Sequence, residues 1–291
     1  MKKIEAPISV VIATLGGDVL NSTIAHISQG EVVPSEILVC IPEAVASNAD
    51  CLAVAGNVRI IKCPSRGQVA QRAVGLGMAV YPFVMQLDDD VILPSQSLRI
   101  LYEILLEKGE GNIIAPFFRA ESTGEGVTHY PVGFRGLIRN CHASLVCGAP
   151  FGRKRMGTIS PAGIGFGLPI ISGDPRVVEL EWLPGGAVLC HKVDLITHNY
   201  YPFTGKAFSE DLIHSLLWRK QGCRLWISQD AIAITDVTME SFAWSSVANR
   251  YRAHTYVASL SGGAVWRTRF WFAFYCLWNI RKLIACNYFH K

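Results

Sequence analysis

Three adjacent carboxylates, Asp88, Asp89 and Asp90, stand between the runs 85–87 and 91–93. Residues 83–87 read as a short buried strand, because they are mostly apolar and Tyr81-Pro82 breaks whatever precedes them. The acids therefore fall at a strand's carboxyl end. Three neighbouring carboxylates repel one another and need a cation or hydrogen-bond donors to offset their charge. A hard divalent metal is the simplest such partner. Magnesium or manganese takes one or two protein carboxylates and fills its other positions with water and phosphate oxygens, so this sparse acid set suits a metal–diphosphate site. A solvated acidic turn is the plain alternative for such a run.

Other residues carry chemistry further along. Glu210 and Asp211 follow Ser209 at the start of an expected helix ending near Lys220, where acids and a Ser cap are good N-terminal chemistry in their own right. Gly185-Gly186 forms a turn before an apolar strand. Arg153-Lys154-Arg155 makes a basic knot in a loop, able to meet phosphates or simply to stay solvated. Gly16-Gly17 is no phosphate loop, since neither Gly-x-Gly-x-x-Gly nor Gly-Lys-Ser/Thr stands near it.

The elements that must position these residues alternate. Strands are expected at 8–14, 36–41, 58–62, 83–87, 112–118 and 223–227, and after the Gly185-Gly186 turn. Helices are expected at 21–27 with Asp18 or Asn21 as cap, at 68–79, and at 95–108 with a capped start. Such alternation argues for a largely parallel α/β sheet with helices on both faces, whose ligands bind beyond the carboxyl ends of the strands. Thr14, Glu43, Arg66 and the acid run all lie at those ends. Between residues 119 and 175 Gly and Pro recur and regularity fades, which reads as long functional loops.

With 291 residues, half of them hydrophobic, the chain can bury a sizeable core. Nine cysteines, odd in number and without a Cys-x-x-Cys pair, point to a reducing compartment and no structural zinc. Glu5 and Pro7 interrupt the basic start, so no secretion signal is expected. The net charge is +4, yet residues 241–291 hold seven bases and no acid, leaving 20 bases against 23 acids before them. The basic character belongs to the tail. Its apolar aromatic run at 270–278, bracketed by Arg269 and Arg281, is too short to cross a bilayer, which needs about 20 such residues. Aromatic rings beside bases suit an anionic membrane surface; a helix packed on the catalytic domain or on a second subunit is the other reading.

Taken in order, these pieces resemble a family 2 glycosyltransferase of the GT-A fold over residues 8–236. The resemblance rests on the Val-Val-Ile-x-Thr first strand, Arg66-Gly67 with Arg72, the Leu-Asp-Asp-Asp-Val-Ile run, the Gly-Gly-Ala turn and the Ser-Glu-Asp helix followed by Gly-Cys-Arg-Leu. It implies an α/β, Rossmann-like mixed sheet, mostly parallel, flanked by helices. Residues 1–240 would form the GT-A domain, with a nucleotide-binding half at 1–110 and an acceptor half at 111–240. Residues 241–291 would form a C-terminal helical extension.

By that resemblance the enzyme is an inverting transferase that needs Mn2+ or Mg2+. It moves a sugar from a nucleotide-diphosphate donor to a hydroxyl of a glycan or lipid-linked acceptor, with no nucleic-acid partner; the membrane reading of the tail would add a place on the inner face of the cell membrane for an otherwise cytoplasmic protein. Asp88 would meet the ribose and, with Asp90, the metal; Asp89 belongs to the same donor site. Thr14 falls where the first strand meets the nucleotide, Arg66 and Arg72 where basic residues meet base or phosphate, and Gly185 and Gly186 where the backbone approaches the donor sugar. Glu210 and Asp211 match the catalytic pair, Asp211 as general base. Two positions depart from the family pattern. Glu43 stands where many members have a base-reading Asp, and Asp236 stands near where some have a metal-ligating His. A nucleotidyltransferase and a catalytically silent sugar- or lipid-binding scaffold stay open as alternatives. The first lacks its basic loop at residues 15–18, and the intact Asp88, Asp90 and Asp211 speak against the second.

Overall fold

Alternation along the first strand builds the two layers that cover the sheet. In β1 (Ile4–Ala13), Ile8, Val10 and Ile12 face one side and Val11 the other, the two-residue period of a strand buried on both faces. The computed structural model describes residues 3–49, 56–122, 124, 126, 133–152, 157–167, 176–204, 206–235 and 244–279. On the first side Leu20 and Ile24 of α1 (Asp18–Gln29) and Leu98, Leu101 and Leu105 of α3 (Ser97–Lys108) close the larger core. On the second, Leu76 of α2 (Gln68–Met78) packs with Val11, Leu38 and Cys40.

β2 (Val32–Pro42), β3 (Val58–Cys63) and β4 (Phe83–Asp88) lie parallel to β1 in the order β3-β2-β1-β4. Beyond β4 the sheet becomes mixed. β8 (Ala187–His191) runs antiparallel to both β4 and β6 (Asn112–Ala120), and β9 (Arg224–Thr235) runs parallel to β6. The short strands β5 (Val91–Ile92) and β7 (Val177–Leu180) both pair antiparallel with β9. Among the described residues this makes one nine-stranded sheet in which six strands share a direction, and it runs unbroken from the first half of the chain into the second.

Several local expectations are corrected. β9 extends to Thr235 instead of stopping at 227, because a bulge opposite Pro116, which has no N–H to give, lets pairing resume at Phe117–Ile232. α1 starts at Asp18 after Gly17, and neither Asp18 nor Asn21 caps it. The start of α3 has no side-chain cap either; the Ser97 hydroxyl accepts the Ile232 N–H at 3.1 Å instead, tying the helix to β9. A helix, α4 (Gly133–Leu145), occupies part of the stretch read as loops. The basic knot at 153–155 lies outside the described residues.

α5 (Glu210–Lys220) carries the acidic pair, and α6 (Trp244–Leu260) packs on it. α7 (Val265–Trp278) packs in turn on α6, with Trp271 and Phe272 against His254 and Tyr251. The C-terminal extension is therefore helical as far as it is described, and one face of it does pack on the rest of the protein. No described helix is long and apolar enough to cross a membrane.

Candidate active site

The carboxyl ends of β1 and β4 lie side by side, Ala13 paired with Asp88, so Thr14 and the acid run meet. The Thr14 hydroxyl donates to Asp89 Oδ2 at 2.5 Å and accepts the Gly16 N–H at 2.9 Å. Thr23 of α1 donates to the Asp89 carbonyl at 2.7 Å, which fixes the turn after β4. Asp89 is thus a structural carboxylate. Asp90 is exposed at the tip of the same turn. Restricted solvation, opposed by the Thr14 hydroxyl, raises the Asp89 pKa. Restricted solvation followed by the Asp88 and Asp89 charges raises that of Asp90. The repulsion anticipated for three adjacent acids is therefore present.

α2 supplies the counter-charge. It can lie close to the sheet because Gly75 has no side chain: a Cβ there would come within 2.4 Å of Cys40 Sγ and 2.5 Å of Val11 Cγ1. One turn earlier on the same helix, Gln71 donates to the carbonyls of Thr14 at 2.7 Å and Cys40 at 2.8 Å, anchoring the helix start over the strand ends. Arg72 is only 1% exposed. Its Nη2 donates to Asp88 Oδ1, which also accepts from Gln68 at 3.2 Å, and its Nη1 donates to Glu210 Oε1 at 2.8 Å. Burial works against the guanidinium charge, but the Asp88 and Glu210 carboxylates outweigh it and raise its pKa. The resemblance gives Arg72 a base or phosphate to meet; in the structure its guanidinium is held by two protein carboxylates. A residue bridging partners 16 and 138 positions away joins the acid run to the acidic pair.

Glu210 is itself enclosed, 7% exposed, with its second oxygen accepting from the Tyr200 hydroxyl at 3.0 Å. Tyr200 is held neutral, its pKa well above the usual phenol value through burial and the nearby Glu210 charge. Behind it His214 stacks on Trp218 with ring centroids 3.5 Å apart. Burial, with Arg72 and His198 adding repulsion, keeps that imidazole uncharged. Ser209 does not cap α5. It sits at φ 53, the single non-glycine residue at positive φ among the described residues, a strained backbone immediately before the acidic pair. Asp211 is half-buried, and its Oδ1 accepts the Leu212 N–H at 2.9 Å. Desolvation, then the neighbouring Glu210 charge, lifts its carboxyl to about 7.

Gly185 and Gly186 lie between the two acidic groups. The Gly185 carbonyl accepts from Gln86 Nε2 at 2.5 Å, and that of Gly186 from the Asp88 N–H at 2.7 Å. A Cβ on Gly185 would stand 2.6 Å from Glu210 Oε1, and one on Gly186 would stand 3.3 Å from Asp88 Oδ2. On its other side Asp211 lines a cavity of ≈ 280 Å³ with Trp182, Phe208, Arg250 and His254.

Thr14, Arg72, Asp88, Asp89, Gly185, Gly186, Glu210 and Asp211 are therefore brought together. Glu43, at the start of the 3-10 turn after β2, and Arg66, in the loop before α2, are exposed. Asp236 lies outside the described residues. Gln71, Gln86 and Tyr200, which position the site, carried no motif that the sequence reading could pick out. Among the described residues no group of three or more His, Cys, Asp or Glu forms a closed metal site. Asp90 and the second oxygen of Asp88 are the carboxylate oxygens of the run that could hold a cation, one whose other positions phosphate and water would complete.

No known protein-family profile matches the chain, and no curated protein matches it in sequence. Solved structures match it in fold. GalNAc-T7, crystallised with UDP, GalNAc and Mn2+, superposes with a TM-score of 0.57 at 14% identity, over 84% of this chain and 47% of that one. Residues 1–349 of S. aureus TarS give 0.53 at 13% identity, over 87% and 64%. A mycobacterial protein gives 0.50 at 18% identity, over 88% and 75%. The chain thus spans about half of the GalNAc-T7 structure and less than two thirds of the TarS one. GalNAc-T7 and TarS are glycosyltransferases of the GT-A fold, and the chain described here has that fold.

Proposed function

We propose that this protein is a metal-dependent, inverting glycosyltransferase that takes a nucleoside-diphosphate sugar and glycosylates a hydroxyl. The observation that carries the reading is the Arg72 bridge. It holds Asp88, at the strand end where a nucleotide would bind, and Glu210, beside the half-buried Asp211, in one charged network around the side-chain-free Gly185-Gly186 turn. Residues 1–110 serve the nucleotide and residues 111–240 the acceptor.

In this reading Asp88 and the residues around Thr14 orient the donor, and Asp90 with Asp88 would hold the cation. The chemistry a bound Mn2+ or Mg2+ supplies is Lewis-acid, offsetting charge that develops on the departing nucleoside diphosphate. The glycine turn leaves room for the donor sugar. Asp211 takes the proton from the acceptor hydroxyl as attack proceeds. Its carboxyl titrates at about 7, so near neutral pH it combines a substantial ionised fraction with useful basicity. Glu210, with both oxygens engaged by Arg72 and Tyr200, supplies the fixed neighbouring charge that helps hold the Asp211 carboxyl up at about 7. The acceptor, a glycan or a lipid-linked precursor, enters through the cavity bounded by Trp182, Phe208 and Arg250. The acid-free basic tail supports a working place on the cytoplasmic face of a membrane.

A thermal-shift panel of nucleoside diphosphates with and without Mn2+, followed by hydrolysis of the matching sugar donors, tests this. A diphosphate that stabilises only with metal, and whose sugar donor is slowly hydrolysed, is the expected result. Binding without any turnover would leave a silent scaffold, and no metal-linked shift with any nucleotide would remove the reading.

A further inference from the structure

Of the sixteen large apolar side chains exposed among the described residues, eight sit on α4 and α7. On α4 they are Phe134, Leu137, Ile138 and Leu145, a spacing that puts them along one side of a helix. On α7 they are Trp266, Phe270, Phe274 and Leu277, again one side. The opposite side of α7 is anchored: buried Thr268 donates to the Ala162 carbonyl at 3.0 Å, and Trp271 and Phe272 pack on α6. The exposed row is therefore the face left over after packing.

The two rows form one surface. The His142 ring lies 5.0 Å from that of Phe274, Arg267 Nη1 donates to the Leu145 carbonyl at 2.7 Å, and the Arg267 side chain borders Gly148. Position rises along α4 as it falls along α7, so the helices run antiparallel. At about 100° per residue, His142 lies roughly 80° round from the middle of the α4 row and Arg267 roughly 65° round from the middle of the α7 row, in the same rotational sense. In an antiparallel pair that places both rows on the same side.

We propose that this two-helix face is a docking surface for an anionic lipid bilayer. Neither helix contains an acidic residue, while Arg139 and Arg269 are exposed on them, and residues 241–291 carry seven bases and no acid. Apolar side chains with a Trp among them, next to arginines, match the boundary between acyl chains and anionic headgroups. At 14 residues α7 is about 21 Å long, short of the ~30 Å apolar thickness, so it lies in the surface and does not span it. A second copy of the chain would bring like-charged faces together. The inference rests on the proposed reaction only for what it serves, the presentation of a lipid-linked acceptor. Its evidence is the surface itself.

The test uses the full chain with vesicles of phosphatidylcholine alone or mixed with phosphatidylglycerol, followed by co-sedimentation. Ile138→Glu in α4 and Phe270→Glu in α7 replace exposed residues, so both variants should fold, as a retained UDP and Mn2+ thermal shift would report. Binding is expected only with the anionic lipid, weakening with salt, and each substitution alone should lower it about tenfold or more. An unaffected Ile138→Glu beside an inactive Phe270→Glu would overturn the two-helix surface in favour of the tail alone. Absence of vesicle binding by the intact chain would overturn the membrane assignment, and light scattering that shows a dimer broken by the same substitutions would identify a second copy as the occupant. Vesicle binding without any nucleotide shift would sink the transferase reading and leave the surface standing.

Discussion

Replacing Asp211 by Asn should make the protein more stable and nearly inactive. Its carboxyl titrates at about 7 in the folded protein against 3.8 ordinarily, chiefly because it is desolvated and secondly because Glu210 is beside it. Below pH 3.8 it is protonated in folded and unfolded chains alike and contributes nothing. Between 3.8 and about 7 the unfolded chain loses the proton while the folded one keeps it, so stability falls as pH rises; above 7 the penalty is constant. At about 1.4 kcal/mol per pH unit the ceiling is about 4 kcal/mol. Asp211 is half-buried, so solvent screens part of this, and about 1–2 kcal/mol is the realistic gain for the neutral amide at pH 8. For a chain of this size that is a rise of about 2–6 °C in melting temperature. The gain should shrink towards zero at pH 4. Asn keeps the oxygen that accepts the Leu212 N–H, so a cap role predicts no gain and little change in rate. Loss of a general base predicts a fall of about 10² to 10⁴ in turnover, and in the parent enzyme a rate that rises with pH through about 7. Differential scanning fluorimetry across pH 4–8, with donor turnover alongside, measures both. A variant that melts lower at pH 8 and keeps its turnover would refute the base assignment and the burial argument together.

Arg72→Met, which removes the bridge while filling its volume, should cost about 3–5 kcal/mol in urea unfolding by leaving Glu210 an uncompensated buried carboxylate; a cost below about 1 kcal/mol would mean the bridge is not formed. Asp90→Asn should abolish the metal-dependent part of nucleoside-diphosphate binding in calorimetry while leaving the melting temperature nearly unchanged, since the group is exposed. Gly185→Ala places a methyl 2.6 Å from Glu210 Oε1, whose carboxylate is held by Arg72 and Tyr200, so about 1–3 kcal/mol of stability and much of the turnover should be lost. Normal values for both would show that Glu210 can move freely.

What the sequence reveals of this protein is what is decided locally. The apolar run ending in acids, the turn before β8 and the helices flanking them follow from period, punctuation and composition over a few residues, and the strands lie close to where those signals put them. Positions at the carboxyl ends of β1 and β4 come with that reading, and Thr14 and the acid run do lie together there, whereas the glycine turn before β8 and Asp211 on α5 reach the same place only through the fold. Tertiary partners are not encoded that way. Arg72 reads from the sequence as meeting a base or phosphate, and nothing near it says that one protein carboxylate stands 138 residues on, or that Tyr200 will complete the set. Ser209 shows the same limit from the other side: Ser-Glu-Asp reads as a capped start, and the fold instead holds the serine left-handed so that the pair turns inward. α4 escaped because two glycines weaken its helical propensity, although Phe134, Leu137, Ile138 and Leu145 already carried a helical period. That period has no core to face. A helical stripe of apolar residues normally marks what a fold buries, and here the fold leaves it outside, beside a second stripe on α7 and without an acid on either helix. The same pattern that identifies core positions elsewhere in the chain therefore identifies, at these two helices, an apolar surface left exposed among the described residues.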